Sequence, residues 1–483
     1  MNSLVTPGAS QRQWPGAQLE TDVAIIGAGT AGLAAYRAAK AAGKRAVVIE
    51  GGAHGTTCAR VGCMPSKLLI AAAEAAHAIE RAPGFGVHSG EARVDGREVM
   101  ARVKRERDRF VGFVLQGVDA IPEGDRIRGY AWFLDPHTLE VEGGPAVRAR
   151  SIVIATGSRP AIPPMLADLG ERLVVNDDVF DWETLPGSVA VFGPGVIGLE
   201  IGQALSRLGV RVVVLGRGGR IGPITDPFVQ RAALDAFGSD FEPDPDAHVQ
   251  RVERAGDQVE IEYLGAEGEK RVERFDYVRA ATGRTPNVEQ LGLERTGTAI
   301  GTRGVPVHNP LTLQAGSSHI FIAGDASDDK QLLHEAADEG RIAGENAARF
   351  PDVRPGARRA PLGIVFTDPQ IAIVGGGFAA LRSHALAAGE VSFDDQGRSR
   401  VMLRNKGRLR VYADPATGRF LGAEMVGPDA EHIGHLLAWA LQAQMTVEQM
   451  LGMPFYHPVV EEGLRTALRD LAAKIAESRL VAA

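Results

Sequence analysis

Two cysteines, Cys58 and Cys63, are the residues of this sequence best suited to redox chemistry. They are the only cysteines in 483 residues, and both lie in the run Thr57-Cys-Ala-Arg-Val-Gly-Cys-Met-Pro-Ser-Lys67. A structural disulfide that closes so short a loop would add little stability, because the gain grows with loop length. A zinc site would need more soft ligands, and there is no second cysteine pair. A redox-active pair is the preferred interpretation, and inert buried thiols or a metal site remain as alternatives.

Cysteines five positions apart point in different directions on a regular helix, so they cannot bond without a distortion. Gly62 and Pro65 are residues that permit such a distortion.

The composition excludes several classes of protein. With 45% hydrophobic and 23% charged residues, the chain resembles an ordinary globular protein of about three domains. Its net charge of -7 argues against a nucleic-acid partner. Apolar stretches are interrupted within about a dozen positions, so we expect no transmembrane helix and no membrane partner. Residues 1–20 are interpreted as a flexible leader, not a secretory signal, and we expect a cytoplasmic protein, where cysteine pairs are more often catalytic.

A strand–turn–helix–strand unit first occurs near the N-terminus. It runs from Val23–Ile26 through Gly27-Ala-Gly-Thr-Ala-Gly32 to a second strand that ends at Glu50. The three glycines of such a turn permit a tight bend, the approach of a pyrophosphate, and close packing of helix on strand. The helix N-terminus then faces the phosphates. Glu50 lies close to the expected spacing of about 20 residues for an acid that binds ribose hydroxyls.

The same unit occurs again from Ser188–Phe192 through Gly193-Pro-Gly-Val-Ile-Gly198, so the chain is predicted to bind two nucleotides. Gly216 occupies the position that corresponds to Glu50, and Arg217 and Arg220 follow it. Guanidinium groups bind a 2′-phosphate that a carboxylate would repel, which favours NADP. A solvated loop whose arginines contact nothing is the alternative. The third glycine is the form more usual at NAD sites among relatives, so both NAD and NADP stay open.

At this point the chain resembles the pyridine nucleotide-disulfide oxidoreductases, and within them the dihydrolipoamide dehydrogenases, over nearly its whole length. The resemblance rests on motifs in one order: the two glycine runs with Glu50 and Glu200, the cysteine run, Ala155-Thr-Gly-Ser-Arg-Pro160, Ala281-Thr-Gly-Arg-Thr-Pro-Asn287, Ile320-Phe-Ile-Ala-Gly-Asp325, Phe366-Thr-Asp-Pro369 and His457-Pro-Val-Val-Glu-Glu462.

The resemblance implies an α/β fold with two Rossmann-like dinucleotide-binding domains, one for FAD and one for NAD or NADP, and a C-terminal α+β dimerisation domain. The expected FAD-binding domain is discontinuous, the NAD(P)-binding domain is inserted in it, and the dimerisation domain follows. These domains are expected to comprise residues 21–155 and 283–351, residues 156–282, and residues 352–483. A homodimer with active sites shared across the subunits is implied.

Roles for individual residues follow from the resemblance. Cys58 is expected to exchange with a substrate dithiol, and the Cys63 thiolate to lie against the flavin in a charge-transfer contact. His457 is the expected base, in a loop that enters a helix near Val459, and Glu462 the acid that orients it, although the adjacent Glu461 could replace it. The remaining expected functional residues include a Lys67–Glu200 pair near flavin N5 and the cofactor-binding residues Gly27, Gly29, Gly32, Glu50, Lys67, Thr156, Gly157, Gly193, Gly195, Gly198, Arg217, Arg220, Gly283, Arg284, Gly324 and Asp325. No metal site is expected.

The expected activity is electron transfer from dihydrolipoamide, free or on a lipoyl domain, through the disulfide and FAD to NAD(P)+. One alternative is an NADPH-dependent disulfide reductase of the glutathione-reductase type, which Arg217 and Arg220 favour. Another is a flavoprotein subunit with a mainly structural role in a dehydrogenase complex, which the complete catalytic set disfavours. Mercuric reductases and large thioredoxin reductases are set aside because they carry a further C-terminal cysteine or selenocysteine pair. His54 is assigned no role.

Overall fold

The computed structural model describes residues 18–482 except 89, 91, 239, 240, 242, 266, 267 and 384. Of the leader expected at residues 1–20, residues 1–17 therefore lie outside the described part, and the first strand begins at Leu19. The strands are β1 (Leu19–Ile26), β2 (Ala46–Glu50), β3 (Arg126–Arg128), β4 (Ala131–Asp135), β5 (Thr138–Val141), β6 (Val147–Ile154), β7 (Ser158–Pro160), β8 (Leu173–Val174), β9 (Ser188–Phe192), β10 (Arg211–Leu215), β11 (Pro243–Asp244), β12 (His248–Ala255), β13 (Gln258–Leu264), β14 (Lys270–Phe275), β15 (Tyr277–Ala280), β16 (Arg284–Pro286), β17 (Ile320–Ile322), β18 (Leu362–Val365), β19 (Gln370–Gly375), β20 (Ala387–Ser392), β21 (Arg408–Ala413) and β22 (Phe420–Gly427).

The helices vary from single turns to more than twenty residues. They are α1 (Thr30–Ala41), α2 (Thr57–Val61), α3 (Cys63–Arg81), α4 (Gly96–Asp119), α5 (Asn176–Val179), α6 (Val196–Arg207), α7 (Pro227–Phe237), α8 (Leu333–Arg349), α9 (Gly377–Leu381), α10 (Gly397–Val401), α11 (Ala430–Gln442), α12 (Val447–Leu451) and α13 (Glu462–Ala482), with 3₁₀ turns at Ala82–Phe85, Glu123–Asp125, Pro164–Arg172, Leu293–Arg295 and Gly324–Ser327. Within the described ranges, no helix has both the length and the apolar character that a membrane crossing requires.

The chain folds into two compact units, each built from separate segments. The first unit combines the described residues up to Thr56 with Leu115–Ser158 and Pro286–Ala357. Its seven-stranded sheet has the order β3-β2-β1-β6-β5-β4, and β17 also pairs with β6. The pairs formed among β1, β2, β3, β6 and β17 are parallel, whereas β5 pairs antiparallel with β6 and β4 antiparallel with β5. In β17 and in the C-terminal halves of β1 and β6, alternate residues belong to one core, and the residues between them are buried as well. Both faces of these segments are therefore covered, which explains their unbroken hydrophobic runs.

The second unit contains Thr57–Val114, Arg159–Thr285 and Arg358–Ala483. It has a second parallel sheet, β11-β10-β9-β15-β8, beside an antiparallel sheet, β12-β13-β14. Its C-terminal part is the antiparallel sheet β18-β19-β22-β21-β20, against which α11 and α13 pack. The predicted fold class is confirmed: two parallel sheets that each carry a glycine turn, and a C-terminal α+β part.

A buried carboxylate ties α7 to the C-terminal sheet. Asp226 is 0% exposed and accepts hydrogen bonds from Arg410 Nη1 at 2.6 Å and from the Tyr412 hydroxyl at 2.8 Å. It also caps α7, because its carboxylate accepts the N–H of Phe228 at 2.9 Å.

We predict that Asp226→Ala lowers the free energy of unfolding by about 3 kcal/mol, because Arg410 and Tyr412 lose their shared acceptor. Denaturant titration would measure this. Asp235→Ala, which removes an exposed carboxylate from the same helix, is the control and is expected to cost less than about 0.5 kcal/mol. Equal losses of unfolding free energy in the two variants would contradict a stabilising role for the hydrogen bonds of Asp226 with Arg410 and Tyr412.

Candidate active site

The two cysteines lie on either side of a break between two helices. Cys58 is in α2, Cys63 begins α3, and Gly62 between them has φ -122° and ψ -118°. A Cβ on Gly62 would lie 3.0 Å from the carbonyl oxygen of Thr57, so the close approach of the helices favours glycine. The predicted distortion is therefore found at Gly62, whereas Pro65 lies in the first turn of α3, where proline is tolerated.

The break brings the two sulfur atoms together, and their environments differ. Cys58 donates a hydrogen bond to Cys63. This bond, followed by burial, raises the pKa of Cys58, whereas the same bond lowers the pKa of Cys63 to about 7 with the help of Lys67. Lys67 is one helical turn after Cys63 and so lies on the same face of α3. The N-terminus of α3 also favours a thiolate at its first residue.

Lys67 is held by a buried acid. Its Nζ is 2.7 Å from Glu200 Oε2, and Glu200 is only 4% exposed. The other carboxylate oxygen of Glu200 accepts the N–H of Phe366 at 2.9 Å, and Lys67 Nζ lies 4.6 Å from the centre of the Phe366 ring. The ammonium group therefore has a fixed position beside the cysteines.

Residues expected to bind FAD follow the carboxyl ends of adjacent parallel strands in the first unit. Ile26, Ile154 and Ile322 are in register, so the segments that follow them meet at one edge of the sheet, which is the usual binding edge of such sheets. These segments contain Gly27, Gly29 and Gly32 after β1, Thr156 and Gly157 after β6, and Gly324 and Asp325 after β17. Glu50 ends the neighbouring strand β2.

The geometry of this edge fits a dinucleotide. Gly27 has φ +110°, and a Cβ on Gly32 would collide with the carbonyl oxygen of Gly27, so the first and third glycines are required by the turn. A Cβ on Gly29 would meet nothing within 4 Å, which leaves room for a phosphate. The Glu50 carboxylate accepts the N–H of Ala28 at 2.8 Å and so lies beside the turn.

Two further groups at the same edge are available to a ligand or positioned for one. The buried hydroxyl of Thr156 has no hydrogen-bond partner among the described residues, an arrangement that suits a bound polar group. Asp325 accepts a hydrogen bond from Ser158 Oγ at 2.6 Å, and the N–H of Gly324 donates to Glu339 at 2.8 Å. The edge can therefore hold the phosphates and polyol chain of a flavin nucleotide.

The second unit repeats this arrangement. Gly193 has φ +108°, a Cβ on Gly198 would collide with the Gly193 carbonyl oxygen, and Gly195 is open to solvent space. β9, β10 and β15 are parallel neighbours, so Gly216 and the segment with Gly283 follow at the same edge.

A glycine is required at position 216 for a local reason. A Cβ there would lie 2.6 Å from the carbonyl oxygen of Pro245 and 2.7 Å from Pro194 Cγ. An acidic side chain would therefore need the backbone to move. Arg217 and Arg220 are exposed, and neither makes an ion pair within the part of the chain that the structure describes.

Gly283 and Arg284 lie where the chain leaves this sheet. Gly283 has φ +101°, and its carbonyl oxygen accepts the N–H of Ala161 at 2.9 Å. Burial raises the pKa of the Asp177 carboxyl group, and the positive charge of the nearby Arg284 opposes this effect only in part.

His457 and Glu462 form the expected pair. His457 Nδ1 is 2.9 Å from Glu462 Oε2, while the His457 side chain is 81% exposed. Burial opposes ionisation of Glu462, but the hydrogen bonds from His457 and from the N–H of Val459 outweigh it and lower the pKa of Glu462. Glu462, not the adjacent Glu461, is thus the residue that contacts His457.

The expected start of the last helix near Val459 is wrong, because α13 begins at Glu462. Residues 458–461 form a turn, in which the N–H of Glu462 bonds to the carbonyl of Val459 and the N–H of Val459 bonds to the Glu462 side chain. The carboxylate therefore sits at the first turn of the helix, where the dipole favours its charge.

Two contacts at this site involve residues that the sequence did not single out. Phe366 contacts both members of the Lys67–Glu200 pair, although its motif was recognised without a role. Asn176 donates to the carbonyl of Val61, between the cysteines, and no local pattern predicts a contact so distant in sequence. Among the described residues, no group of three or more His, Cys, Asp or Glu side chains could hold a metal ion.

Comparisons with known proteins identify the family of this chain. Residues 21–340 match the model of the family described as pyridine nucleotide-disulphide oxidoreductase, and residues 362–468 match the dimerisation domain of that family. The chain belongs to this family. It is therefore an FAD-dependent disulfide oxidoreductase, from a family whose members use FAD and NAD(P)H, and its dimerisation domain supports a homodimer.

Several members of the family are similar over most of the chain. Dihydrolipoyl dehydrogenase of Bacillus subtilis (strain 168) is 30% identical over 458 residues, which cover 92% of this chain and 97% of that protein. Mercuric reductase of Shigella flexneri is 31% identical over 464 residues, with coverages of 92% and 80%. The expectation that sets mercuric reductases aside thus gains no support from sequence similarity.

Solved structures show the same fold. LpdA from Mycobacterium tuberculosis matches with a TM-score of 0.79 at 24% identity and covers 93% of this chain and 99% of its own. The HOCl-induced flavoprotein disulfide reductase RclA from Escherichia coli matches with a TM-score of 0.78 at 23% identity, over 94% and 99%.

The lowered pKa of Cys63 predicts how its reactivity changes with pH. The thiolate is present above the folded pKa and is lost as the pH falls through about 7, so alkylation of Cys63 by iodoacetamide should slow below that pH. Peptide mass spectrometry of the reduced protein would follow each cysteine separately. Cys58, whose pKa is raised, is the internal control, and equal profiles for the two cysteines would contradict the asymmetry.

The two glycine turns predict separable losses of cofactor. Gly32→Val should abolish FAD binding, because the side chain would collide with the carbonyl oxygen of Gly27 and distort the turn that is expected to receive the phosphates. Gly198→Val should keep the flavin absorbance but lose affinity for NAD(P)H by more than about tenfold. Flavin content and nucleotide titration would measure both. If Gly198→Val lost its flavin while Gly32→Val kept it, the two nucleotide sites would be assigned the wrong way round.

Proposed function

We propose that the protein is a dithiol:NAD(P)+ oxidoreductase of the dihydrolipoamide dehydrogenase type, in which Cys58 and Cys63 cycle between disulfide and dithiol. The observation that carries the proposal is the helix break at Gly62, which separates Cys58 from Cys63, together with the Lys67–Glu200 ion pair one turn along α3. Similarity to dihydrolipoyl dehydrogenases over 92% of the chain supports the same reaction type.

The chemistry is a pair of thiol–disulfide exchanges. A substrate thiolate attacks Cys58 in the oxidised pair, a mixed disulfide forms, and the Cys63 sulfur leaves with the electron pair. Cys63 is suited to leave, because a thiol with a lower pKa is the better leaving group. The second substrate thiol then attacks the mixed disulfide, which releases Cys58 and the oxidised substrate. His457 accepts the substrate proton and Glu462 stabilises the imidazolium.

Bound FAD would supply two-electron exchange between the cysteine dithiol and the nicotinamide. The protein would hold it with the turn Gly27–Gly32, Glu50, Thr156, Gly157 and Gly324–Asp325. Lys67 would supply a positive charge to the anionic reduced flavin, as the family resemblance implies, and Glu200 holds the ammonium group in place. We propose the domain bounds that follow: 21–155 and 283–351 for FAD, 156–282 for the nicotinamide nucleotide, and 352–483 for the dimer.

A shared active site across a homodimer agrees with the exposure of His457. The adjacent Tyr456 is 80% exposed, and Leu436 and Trp439 on α11 are 44% and 70% exposed. Exposed large apolar side chains of this kind are typical of a surface that a second subunit covers. We propose that His457 of one subunit serves the cysteine pair of the other.

We propose that the second nucleotide site prefers NADP to NAD. Arg217 and Arg220 are exposed and without ion-pair partners in the described ranges, and position 216 has no room for the acid that would repel a 2′-phosphate. The same feature supports the second candidate, an NADPH-dependent disulfide reductase. The two candidates share every residue and differ in the direction of electron flow.

Steady-state oxidation of dihydrolipoamide by the FAD-loaded protein, run with NAD+ and with NADP+, tests this proposal. We expect turnover that Cys58→Ser lowers by more than about 10³-fold, because the attacked sulfur is gone. NAD(P)H-dependent reduction of the flavin should survive in that variant, which controls for folding and cofactor. No turnover in the parent protein would contradict the proposal, and parallel assays with NADPH plus oxidised glutathione or mercuric ion would then identify the acceptor.

Mixed dimers test the sharing of the active site. Cys58→Ser and His457→Gln are each expected to be nearly inactive, but dissociation and reassociation of the two together should restore about a quarter of the parental activity. Half of the dimers would then be mixed, and each would have one intact site. No recovery, with mixed dimers confirmed by mass, would place His457 and the cysteines of one subunit in the same site.

A further inference from the structure

A fully buried arginine lies next to the cysteine loop. Arg279, on β15, is 0% exposed. Its Nη2 donates to Asn176 Oδ1 at 3.2 Å and its Nη1 to the carbonyl of Ile197 at 3.4 Å. No carboxylate among the described residues forms a salt bridge with it, and its buried Nε has no hydrogen-bond partner in that part of the chain.

The sheet register explains how this arginine reaches the redox pair. Arg279 is opposite Val174 on β8, and α5 begins two residues later at Asn176. Asn176 is 5% exposed, and its Nδ2 donates to the carbonyl of Val61. Val61 ends α2 and precedes Gly62, the break that separates the two cysteines. A continuous chain of hydrogen bonds therefore runs from a buried guanidinium to the turn between Cys58 and Cys63.

Burial of a guanidinium without a carboxylate is costly, so an apolar side chain would be the simpler way to fill this position. Burial lowers the pKa of Arg279 to about 10, which still leaves it charged at neutral pH, and the charge of Glu200 favours the ionised form. The N–H groups of Arg279 donate to Asn176 and to the first turn of α6, the helix that carries Glu200. Both parts of the cysteine environment are thereby connected to one residue.

We propose that Arg279 is a positioning residue for the redox pair, which fixes the carbonyl of Val61 through Asn176 and so holds the turn at Gly62 that brings Cys58 to Cys63. This inference rests on the proposed redox function of the two cysteines. Removal of the arginine loosens Asn176, and the hydrogen bond between the sulfur atoms lengthens. That bond is the largest cause of the lowered pKa of Cys63, while Lys67 lowers it further and Glu200 raises it.

The test is the pH profile of Cys63 alkylation in the reduced, FAD-loaded full chain. Arg279→Met removes the charge and the hydrogen bonds but keeps a long side chain. Arg279→Lys keeps the charge but lacks the two guanidinium donors that reach Asn176 and Ile197. Asn176→Ala removes the side chain that connects Arg279 to the carbonyl of Val61. Each should move the midpoint of the Cys63 profile upward by about one unit, which makes alkylation about tenfold slower below pH 7. Arg410→Met, which removes a mostly buried arginine from another part of the same unit, should leave the profile unchanged.

An unchanged profile in folded Arg279→Met and Asn176→Ala would overturn the proposal and leave Arg279 as a packing residue. If Arg279→Met fails to fold, Asn176→Ala and Arg279→Lys decide the question by the same criterion. An equal shift in Arg410→Met would also overturn it, since general destabilisation would then be the cause.

Failure of the proposed function gives a different result. If the parent protein shows no loss of two thiols on oxidation, Cys58 and Cys63 do not cycle as a disulfide, whatever the profiles of the variants. If the parent cycles and the profiles of the variants match it, only the role of Arg279 is lost.

Discussion

The redox pair depends on one interruption of the chain, the break at Gly62 between α2 and α3. Without it, residues five apart would point to different faces of a continuous helix and the two sulfur atoms would not meet. With it, Cys63 becomes the first residue of a nineteen-residue helix, where the helix dipole favours a thiolate, and Cys58 is placed to donate a hydrogen bond to it. The asymmetry between the two thiols, one with a raised pKa and one with a lowered pKa, follows from this geometry.

The surrounding structure fixes that geometry from several directions. Lys67 shares a face of α3 with Cys63, and the buried Glu200 on α6 holds its ammonium group. Glu200 is in turn oriented by the N–H of Phe366, and the cysteine turn is held by Asn176. Each of these contacts joins segments that are distant in sequence, so the site exists only when the second unit is folded. The first unit, described by itself, has a sheet edge with Glu50, Thr156 and Asp325, whose geometry suits the phosphates and polyol of FAD.

Local patterns in the sequence predicted what local geometry determines. The glycine turns, the strands that flank them and the cysteine distortion are encoded in short runs, because steric limits on backbone and Cβ act within a few residues. The start of α13 was misplaced, because the residues before Glu462 form a turn in which the Glu462 side chain accepts the N–H of Val459. Asn176 and Arg279 could not be assigned, because their roles depend on the register of β8 and β15. A charged residue inside the apolar strand β15 was the one available signal.

The most direct test of the central claim is anaerobic titration of the FAD-loaded protein with dithionite, beside Cys58→Ser. A redox disulfide next to a flavin predicts that the parent takes up two electron pairs per chain, one for the disulfide and one for FAD, and that the variant takes up one. Uptake of a single pair by both proteins would mean that Cys58 and Cys63 are inert thiols, and the account of the site given above would be wrong.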